Sequence, residues 1–163
     1  MKETLVNFVA NFPNELAVIL LSVIPVAELR FAIPFAVLNY GMHPVLAFLY
    51  ACIGNLLPVP FIILFIRKIF DWMKKFKFLR KIVIKLEERG TSKQETVKKY
   101  KFWGLFIFVA IPLPGTGAWT GALIAALMNM RLKDALPSIT LGVVTAGLVV
   151  TFLSMLVPSL LGF

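Results

Sequence analysis

Three long apolar stretches dominate the pattern of hydrophobic and polar positions. A basic segment at 67–101 separates the first two, and a short charged segment at 131–134 separates the last two. Residues 16–66 carry only Glu28 and Arg30 as charged side chains, and residues 102–130 and 135–163 carry none. Each stretch is longer than the roughly 20 residues that a helix needs to cross the hydrocarbon core of a bilayer. The pattern therefore predicts an all-α integral membrane protein.

The middle of the second apolar stretch is incompatible with a regular helix. Residues 111–121 read Ile-Pro-Leu-Pro-Gly-Thr-Gly-Ala-Trp-Thr-Gly. Proline removes a backbone donor and clashes with the preceding helical turn, and glycine loosens the backbone further. Irregular backbone at membrane depth is tolerated only where protein buries it or where it lines a polar cavity. The interruption is thus a candidate binding site, with Pro112, Pro114, Gly115, Thr116, Gly117, Trp119 and Thr120 as its predicted residues.

A second interruption surrounds the two charged residues of the first stretch. Glu28 and Arg30 lie between Pro25 and Pro34, which flank the predicted break. Charged side chains inside a bilayer usually face a polar interior and mark a pathway. The simpler alternative is a neutralising ion pair at a helix end, but such a pair would not need the break. Asn55, in the middle of the next apolar run, either faces the same site or bonds to a neighbouring helix.

The second half of the chain repeats the order of landmarks in the first. Both irregular segments start with an Ile-Pro pair, at residues 24–25 and 111–112, and a central glycine follows in each spanning segment, Gly54 and Gly142. The offset is 87 residues at the first landmark and 88 at the last. We predict two inverted repeats, each a re-entrant, broken helical hairpin followed by a transmembrane helix, with the two tips meeting near the bilayer midplane.

The predicted layout is a single membrane domain that covers residues 1–163. It contains an amphipathic lead (1–14), for which a frayed terminus is the alternative, repeat 1 (15–66), a basic linker (67–101) and repeat 2 (102–163), with spanning helices at 45–66 and 135–157. Part of the linker has the periodicity of an amphipathic helix on the membrane surface. If the segment after Lys101 dips in and returns, Arg131 and Lys133 lie on the same side as the linker, as the positive-inside tendency requires.

Charge and composition narrow the function classes. The chain is 60% hydrophobic, and 13 of its 17 Lys and Arg residues lie in the linker with four acids, so the linker carries the whole net charge of +9. A basic block between two apolar halves is typical of a cytoplasmic loop beside anionic lipids, which argues for a multi-pass protein of the cell membrane and against a nucleic-acid partner. Cys52 is the single cysteine, which excludes an intrachain disulfide.

Candidate catalytic chemistry is sparse. The sequence has one His and one Cys, no metal-ligand spacing, and no Lys-Ser/Thr after the Pro-Gly-Thr-Gly run that would make it a phosphate-binding loop. We therefore expect a protein that is not an enzyme and has no cofactor or metal.

Two motifs carry a family resemblance. Val26-Ala-Glu-Leu-Arg-Phe-Ala-Ile-Pro34 and Ala110-Ile-Pro-Leu-Pro-Gly-Thr-Gly-Ala-Trp-Thr-Gly-Ala122 resemble the small multidrug export protein family. That family looks distantly related to the DedA (VTT-domain) superfamily. The resemblance implies paired re-entrant loops, an acidic role for Glu28, a basic role for Arg30 and movement of lipids such as polyisoprenyl phosphates between leaflets. The arginines of the second re-entrant segment in DedA proteins are absent from this sequence.

The residues favour an anionic lipid head group as substrate. Arg30 offers forked donors that suit phosphate, and the half-helix after Gly117 starts with N–H groups that attract anions. Glu28 would be a proton-coupling group if burial, which favours the neutral acid, outweighs the opposing effect of Arg30. The alternatives are proton-coupled export of small cationic compounds, with Trp103 and Trp119 as aromatic contacts, and a membrane scaffold that transports nothing. We also expect a homodimer, because one small bundle would enclose a polar cavity poorly.

Overall fold

The computed structural model describes residues 12–73, 75, 84, 96–113 and 116–161, and regular structure within these ranges is helical throughout. The described ranges contain α1 (Asn14–Val23), α2 (Glu28–Asn39), α3 (Pro44–Leu56), α4 (Val59–Met73), α5 (Thr96–Ala110), α6 (Ala118–Leu127) and α7 (Leu132–Leu161). The all-α prediction is confirmed for this part of the chain. Most of the predicted amphipathic lead and most of the linker, together with Pro114 and Gly115, lie outside the described residues.

The first interruption is present at Pro25, as predicted. α1 ends at Val23, and in the turn that follows the N–H groups of Ala27 and Glu28 both donate to the Ile24 carbonyl, at 3.1 and 3.0 Å. α2 then starts at Glu28. The break is therefore a tight turn between two short helices.

Pro34 does not flank this break, and that part of the prediction is wrong. Pro34 lies inside α2, which continues to Asn39. A proline in a helix interior cannot donate to the carbonyl four residues earlier and costs about 3 kcal/mol. α2 packs on both α1 and α3, and such tertiary packing routinely overrides local propensity.

Glycines bring the helices of the first half close together. A Cβ atom on Gly54 would overlap the carbonyl oxygen of Ile19 and lie 2.9 Å from Ser22 Cβ, so α3 rests directly on the backbone of α1. Gly147 of α7 lies against the Phe48 ring of α3 in the same way. Contact through small residues is the usual way in which helices pack inside a membrane.

In the second half, α5 and α6 form a helical hairpin. α5 ends at Ala110 and α6 starts at Ala118, so the predicted interruption between them is present. Lys101 Nζ, near the start of α5, donates to the Met128 carbonyl just beyond α6 at 3.1 Å. The outer ends of the two helices therefore lie together, and the chain reverses direction between them. Re-entry of this hairpin into a membrane stays a prediction.

The start of α7 packs against this hairpin. Ser138 Oγ donates to the Phe102 carbonyl at 2.7 Å. A Cβ atom on Gly142 would lie 2.7 Å from Val109 Cβ and 3.0 Å from the Phe106 carbonyl oxygen. α4 packs on α6 in the same part of the molecule. The second half thus uses a central glycine to seat its long helix on the helix before the break.

Two helical segments are long and apolar enough to cross a membrane, Pro44–Ile66 and Leu132–Leu156. They agree closely with the predicted spans 45–66 and 135–157. The first segment is interrupted by a turn at Leu57–Pro58, between α3 and α4. α4 continues to Met73, into the region predicted as the start of the basic linker. The sequence therefore locates both segments but misses the turn and the extension.

The described helices fall into two compact units. The first contains α1, α2, α3 and the part of α7 from Val143, and the second contains α4, α5, α6 and the part of α7 up to Gly142. These units differ from the predicted repeats. α4 starts in predicted repeat 1 but belongs to the second unit, and the end of α7 lies in predicted repeat 2 but belongs to the first unit. The single membrane domain over residues 1–163 stays a prediction.

Corresponding positions in the two halves play matching roles. α3 and α7 start 88 residues apart, at Pro44 and Leu132. Just before each start, Gly41 and Asn129, also 88 residues apart, adopt left-handed backbone conformations with φ of +59° and +54°. The α1 contacts of Gly54 and the α5 contacts of Gly142 are themselves 87 residues apart. Packing and turn conformation therefore follow the offset that the sequence landmarks suggest.

Candidate functional site

Glu28 is the centre of the candidate site in the first unit. Its carboxylate belongs to a residue that is only 7% exposed, and Oε2 lies 3.7 Å from Nη1 of Arg30. The Arg30 side chain is 18% exposed, so both charges are largely removed from the surface. A buried acidic side chain is tolerated where a positive charge or hydrogen-bond donors accompany it. An ion pair at a helix end is the simpler alternative that the sequence leaves open for these residues, and the structure has such a pair at the start of α2. The burial of both side chains and the break before α2 are the features that the pair alone does not explain.

The backbone of Glu28 explains how two residues so close in sequence can pair. Side chains two positions apart on a regular helix do not face each other. Glu28 has φ of +51°, in the left-handed region, although it is the first residue of α2. This conformation redirects the Cα–Cβ bond relative to the helix, and Glu28 can therefore reach Arg30. For a residue other than glycine, the left-handed conformation costs about 1–2 kcal/mol.

Strained backbone at a buried acidic residue is a functional signal. Residues held in sparsely populated backbone regions concentrate at active sites, ligand clamps and switches, where the surrounding structure enforces them. Around Glu28 this enforcement comes from the turn after α1 and from the packing of α2 on α1 and α3. A charge, a helix break and a strained conformation thus coincide at one residue.

Asn55 is a second buried polar group in the same unit. It lies in the last turn of α3 and is 1% exposed. Its Oδ1 atom has no hydrogen-bond partner among the described residues. Most buried polar atoms are hydrogen-bonded, so an acceptor of this kind requires a specific explanation, such as a water or a bound ligand. The sequence analysis leaves two alternatives for Asn55, a place in the site or a bond to a neighbouring helix. Among the described residues, Oδ1 accepts no bond from a neighbouring helix.

The second interruption is held together by Thr116. Its Oγ1 lies 2.7 Å from the Ile111 carbonyl and 2.9 Å from the Leu113 carbonyl, so its hydroxyl proton can be donated to either. The Thr116 N–H also donates to Leu113, at 3.2 Å. Gly117 then precedes α6 with extended backbone. Thr116 therefore donates to carbonyl groups that lose their helical partners where α5 ends.

The remaining predicted residues are placed as follows. Trp119 and Thr120 are half-buried on the first turn of α6, whereas Pro25 and Pro112 are exposed at the two interruptions. All described residues of the second interruption belong to the second compact unit, and Glu28, Arg30 and Asn55 belong to the first. A single site formed by both interruptions stays a prediction. Within the described ranges, no three His, Cys, Asp or Glu side chains lie together as metal ligands would.

Two features of the structure are missed by the sequence analysis. The left-handed conformation of Glu28 carries no sequence signal, because glycine, asparagine and aspartate are the residues that usually mark such positions. A groove beside Lys101 and Gly104, described below, is also missed. The sequence shows only that α5 contains a glycine, Gly104. That this glycine faces open space beside α6 is known only from the packing of the two helices.

Comparison with known proteins identifies a family. No curated protein and no solved structure is similar enough to this chain to count as a match. A protein-family model does match, over residues 28–149, which is about three quarters of the 163 residues. The matched region contains Glu28, Arg30, Asn55 and the whole second interruption. With two helices long and apolar enough to cross a membrane, the match indicates a membrane protein. The chain belongs to the family described as "Putative small multi-drug export protein".

Proposed function

We propose that this protein is a membrane transporter whose substrate passes the Glu28–Arg30 pair, with Glu28 as the proton-binding group. The observation that carries the proposal is the buried acid at the strained start of α2, directly after a helix break, with Arg30 at 3.7 Å. Ionisable residues inside membrane proteins are rare and are typical of substrate paths and proton relays. The family description supports a transport function in general terms.

Charge balance favours an anionic substrate, such as a lipid head group with a phosphate. The empty pair, Glu28 carboxylate with Arg30 guanidinium, is neutral. If Glu28 takes up a proton, Arg30 can bind a monovalent anion, and the site is neutral again. A neutral site is the least costly one in a medium of low dielectric constant. The proposal therefore couples each anion to one proton, and a lipid tail could stay in the bilayer while its head group crosses.

Export of small cationic compounds is the second candidate, and the family description favours it. In this alternative a proton and a cationic compound compete for Glu28, while Trp103 and Trp119 supply aromatic surface that attracts cations. Either occupant leaves one net positive charge on the site because Arg30 stays charged. The charge of the site is the same before and after the exchange of proton for cation, but it is +1 in both states. Binding of a proton together with an anion keeps the site neutral.

The predicted internal duplication supports a transporter as well. Broken helices at corresponding positions of two related halves point to a substrate site. The helix starts, the left-handed turn residues and the glycine contacts recur here at offsets of 87 and 88 residues. The inverted orientation of the halves, their relationship to the DedA superfamily and a homodimeric assembly remain parts of the proposal.

Reconstitution into liposomes tests the proposed function. Movement of a fluorescent polyisoprenyl phosphate or phospholipid and of a cationic dye is followed with and without a pH gradient. We expect a pH gradient to accelerate movement of the anionic lipid, and Glu28→Gln and Arg30→Gln to reduce that movement about tenfold or more. Dye movement that depends on Glu28, without lipid movement, would instead establish the cation alternative.

The exposed pair Arg131–Asp134 supplies the matched control. Its side chains are 61% and 46% exposed and its atoms approach to 3.1 Å, so Asp134→Asn removes one acid of an ion pair at the surface. We expect this variant to transport like the wild type. If neither substrate moves although the protein is folded, the transport proposal is wrong and a scaffold role remains. If Asp134→Asn and Glu28→Gln slow transport equally, the proposed role of Glu28 is wrong.

A further inference from the structure

A groove of about 330 Å³ runs between α5 and α6 in the second compact unit. Its walls include Lys101, Gly104 and Phe108 of α5 with Ile124 and Met128 of the α6 end. The volume falls within the range of about 300–1,000 Å³ that is typical of small-molecule sites. The groove is open along one side and passes over Gly104, where an added Cβ atom would meet nothing within 4 Å.

One end of the groove is cationic. The half-buried Lys101 ammonium donates to the Met128 carbonyl at 3.1 Å, which holds it at the mouth of the groove. Burial lowers the pKa of Lys101 from its ordinary value, so an anion beside it would offset the cost of its charge. The sequence adds Lys98 and Lys99 immediately before this position. The rest of the wall, from Gly104 to Ile124, is apolar.

Aromatic residues indicate the depth of the cationic end. Tyr100 is 71% exposed and Trp103 is 50% exposed, and both lie within two positions of Lys101 on α5. Exposed Tyr and Trp beside lysines are typical of the interface between head groups and hydrocarbon. Phe108 lies about 10 Å further along the helix axis, at a rise of about 1.5 Å per residue. The groove is therefore polar at interface depth and apolar towards the hydrocarbon core.

We propose that this groove binds one anionic phospholipid, with the phosphate against the Lys101 ammonium and an acyl chain lying over Gly104 towards Phe108. Basic pockets between membrane helices recognise anionic head groups in this way. Charge at one end and uncovered apolar surface at the other fit an amphiphile and not a free ion. The site lies on the α5–α6 hairpin and involves neither Glu28 nor Arg30, so it is independent of the proposed transport.

Native mass spectrometry of the full chain tests the proposal. Protein is extracted from nanodiscs that contain equal amounts of phosphatidylglycerol and phosphatidylcholine with identical chains, and retained lipid is counted. We expect one retained phosphatidylglycerol per chain, preferred about fivefold over phosphatidylcholine. Lys101→Gln should remove the preference and Lys101→Arg should keep it. If Lys101→Gln acted only by removing the hydrogen bond to the Met128 carbonyl, the preference for phosphatidylglycerol over phosphatidylcholine would not change.

Gly104→Leu is the sharper variant because its Cβ meets no protein atom within 4 Å and its side chain extends into the groove. We expect retained lipid to fall about tenfold, whereas Ile107→Trp, which adds bulk on α5 outside the groove, leaves it unchanged. Thermal unfolding of Gly104→Leu should match or exceed that of the wild type, since leucine favours a helix more than glycine does.

Three results would overturn the lipid site. The first is equal retention of both lipids by the wild type, and the second is unchanged retention in Gly104→Leu. The third is loss of the lipid in Arg30→Gln with no effect of Lys101→Gln, which would assign the lipid to the proposed transport path. Conversely, a failed liposome assay with Lys101-dependent retention would leave this inference intact.

Discussion

At the scale of single residues, Glu28 combines costs that evolution usually avoids. It is 7% exposed, its side chain is ionisable, and its backbone has φ of +51°. Strain of about 1–2 kcal/mol and the desolvation of an acid are both unfavourable, so neither helps the fold by itself. Arg30, at 3.7 Å, offsets part of the charge cost. We infer that the arrangement persists because the protein uses the acid.

The Glu28–Arg30 pair makes a prediction for stability. Glu28→Gln removes the carboxylate that lies 3.7 Å from the largely buried Arg30 guanidinium, and losing this pair should lower the free energy of unfolding by about 3 kcal/mol. The double variant Glu28→Gln/Arg30→Gln should be more stable than Glu28→Gln alone, because the largely buried guanidinium charge is removed together with the carboxylate. Thermal or denaturant unfolding in detergent measures both effects.

Asp134→Asn is the control for this cycle, since exposed ion pairs contribute only about 0–1 kcal/mol. Its unfolding midpoint should stay close to that of the wild type. If the single and double variants at Glu28 and Arg30 are equally stable, the pair is solvated and does not form the buried site described above.

At the scale of helices, glycine contacts decide how closely the long helices pack. Gly54 and Gly142 each seat a long helix on the backbone of the helix that precedes a break. Gly104, in contrast, faces open space on α5. Gly54 and Gly142 therefore allow close helix packing, whereas Gly104 does not. The difference depends on whether a neighbouring helix faces the glycine.

This contrast predicts opposite effects of the same substitution. Gly142→Ala would place its Cβ 2.7 Å from Val109 Cβ, and overpacking of this kind costs about 1–3 kcal/mol. Gly104→Ala meets nothing and should stabilise by up to about 1 kcal/mol, because alanine favours helix. Unfolding temperatures of the two variants test this, and a Gly142→Ala protein as stable as Gly104→Ala would contradict the described packing of α7 on α5.

Sequence reasoning locates the helices and breaks well because their causes are local. Proline and glycine interrupt the chain at Pro25 and at residues 111–117, and hydrophobic runs mark Pro44–Ile66 and Leu132–Leu156. It fails at Pro34, where packing against two helices overrides the local cost of proline. The positions of helices and breaks therefore follow from the local sequence. Whether a helix tolerates a proline such as Pro34 depends on packing against helices that are distant in sequence.

The candidate site is only partly predictable for the same reason. Charged residues are rare in the apolar stretches, so Glu28 and Arg30 can be identified as candidates from the sequence, and the predicted helix break beside them supports this choice. Nothing in the sequence reveals the left-handed backbone that brings them together, the orphan acceptor of Asn55 or the groove over Gly104. Each of these depends on how one helix is placed against another.

At the scale of the whole molecule, this member of the small multi-drug export family has a break between short helices in each half of its chain. The first break carries the charges, and the second is closed by Thr116 without any charge. This asymmetry makes Glu28 the candidate through which protons and substrate are linked, and every transport proposal above depends on it.

Counting protons exchanged on substrate binding tests this dependence most directly. In weakly buffered detergent solution, a pH indicator records proton uptake or release when the substrate found in the liposome assay is added. We predict uptake of about one proton per anion bound, or release of about one per cation, and no exchange in a Glu28→Gln protein that still binds. Equal proton exchange by the wild type and Glu28→Gln would contradict the account.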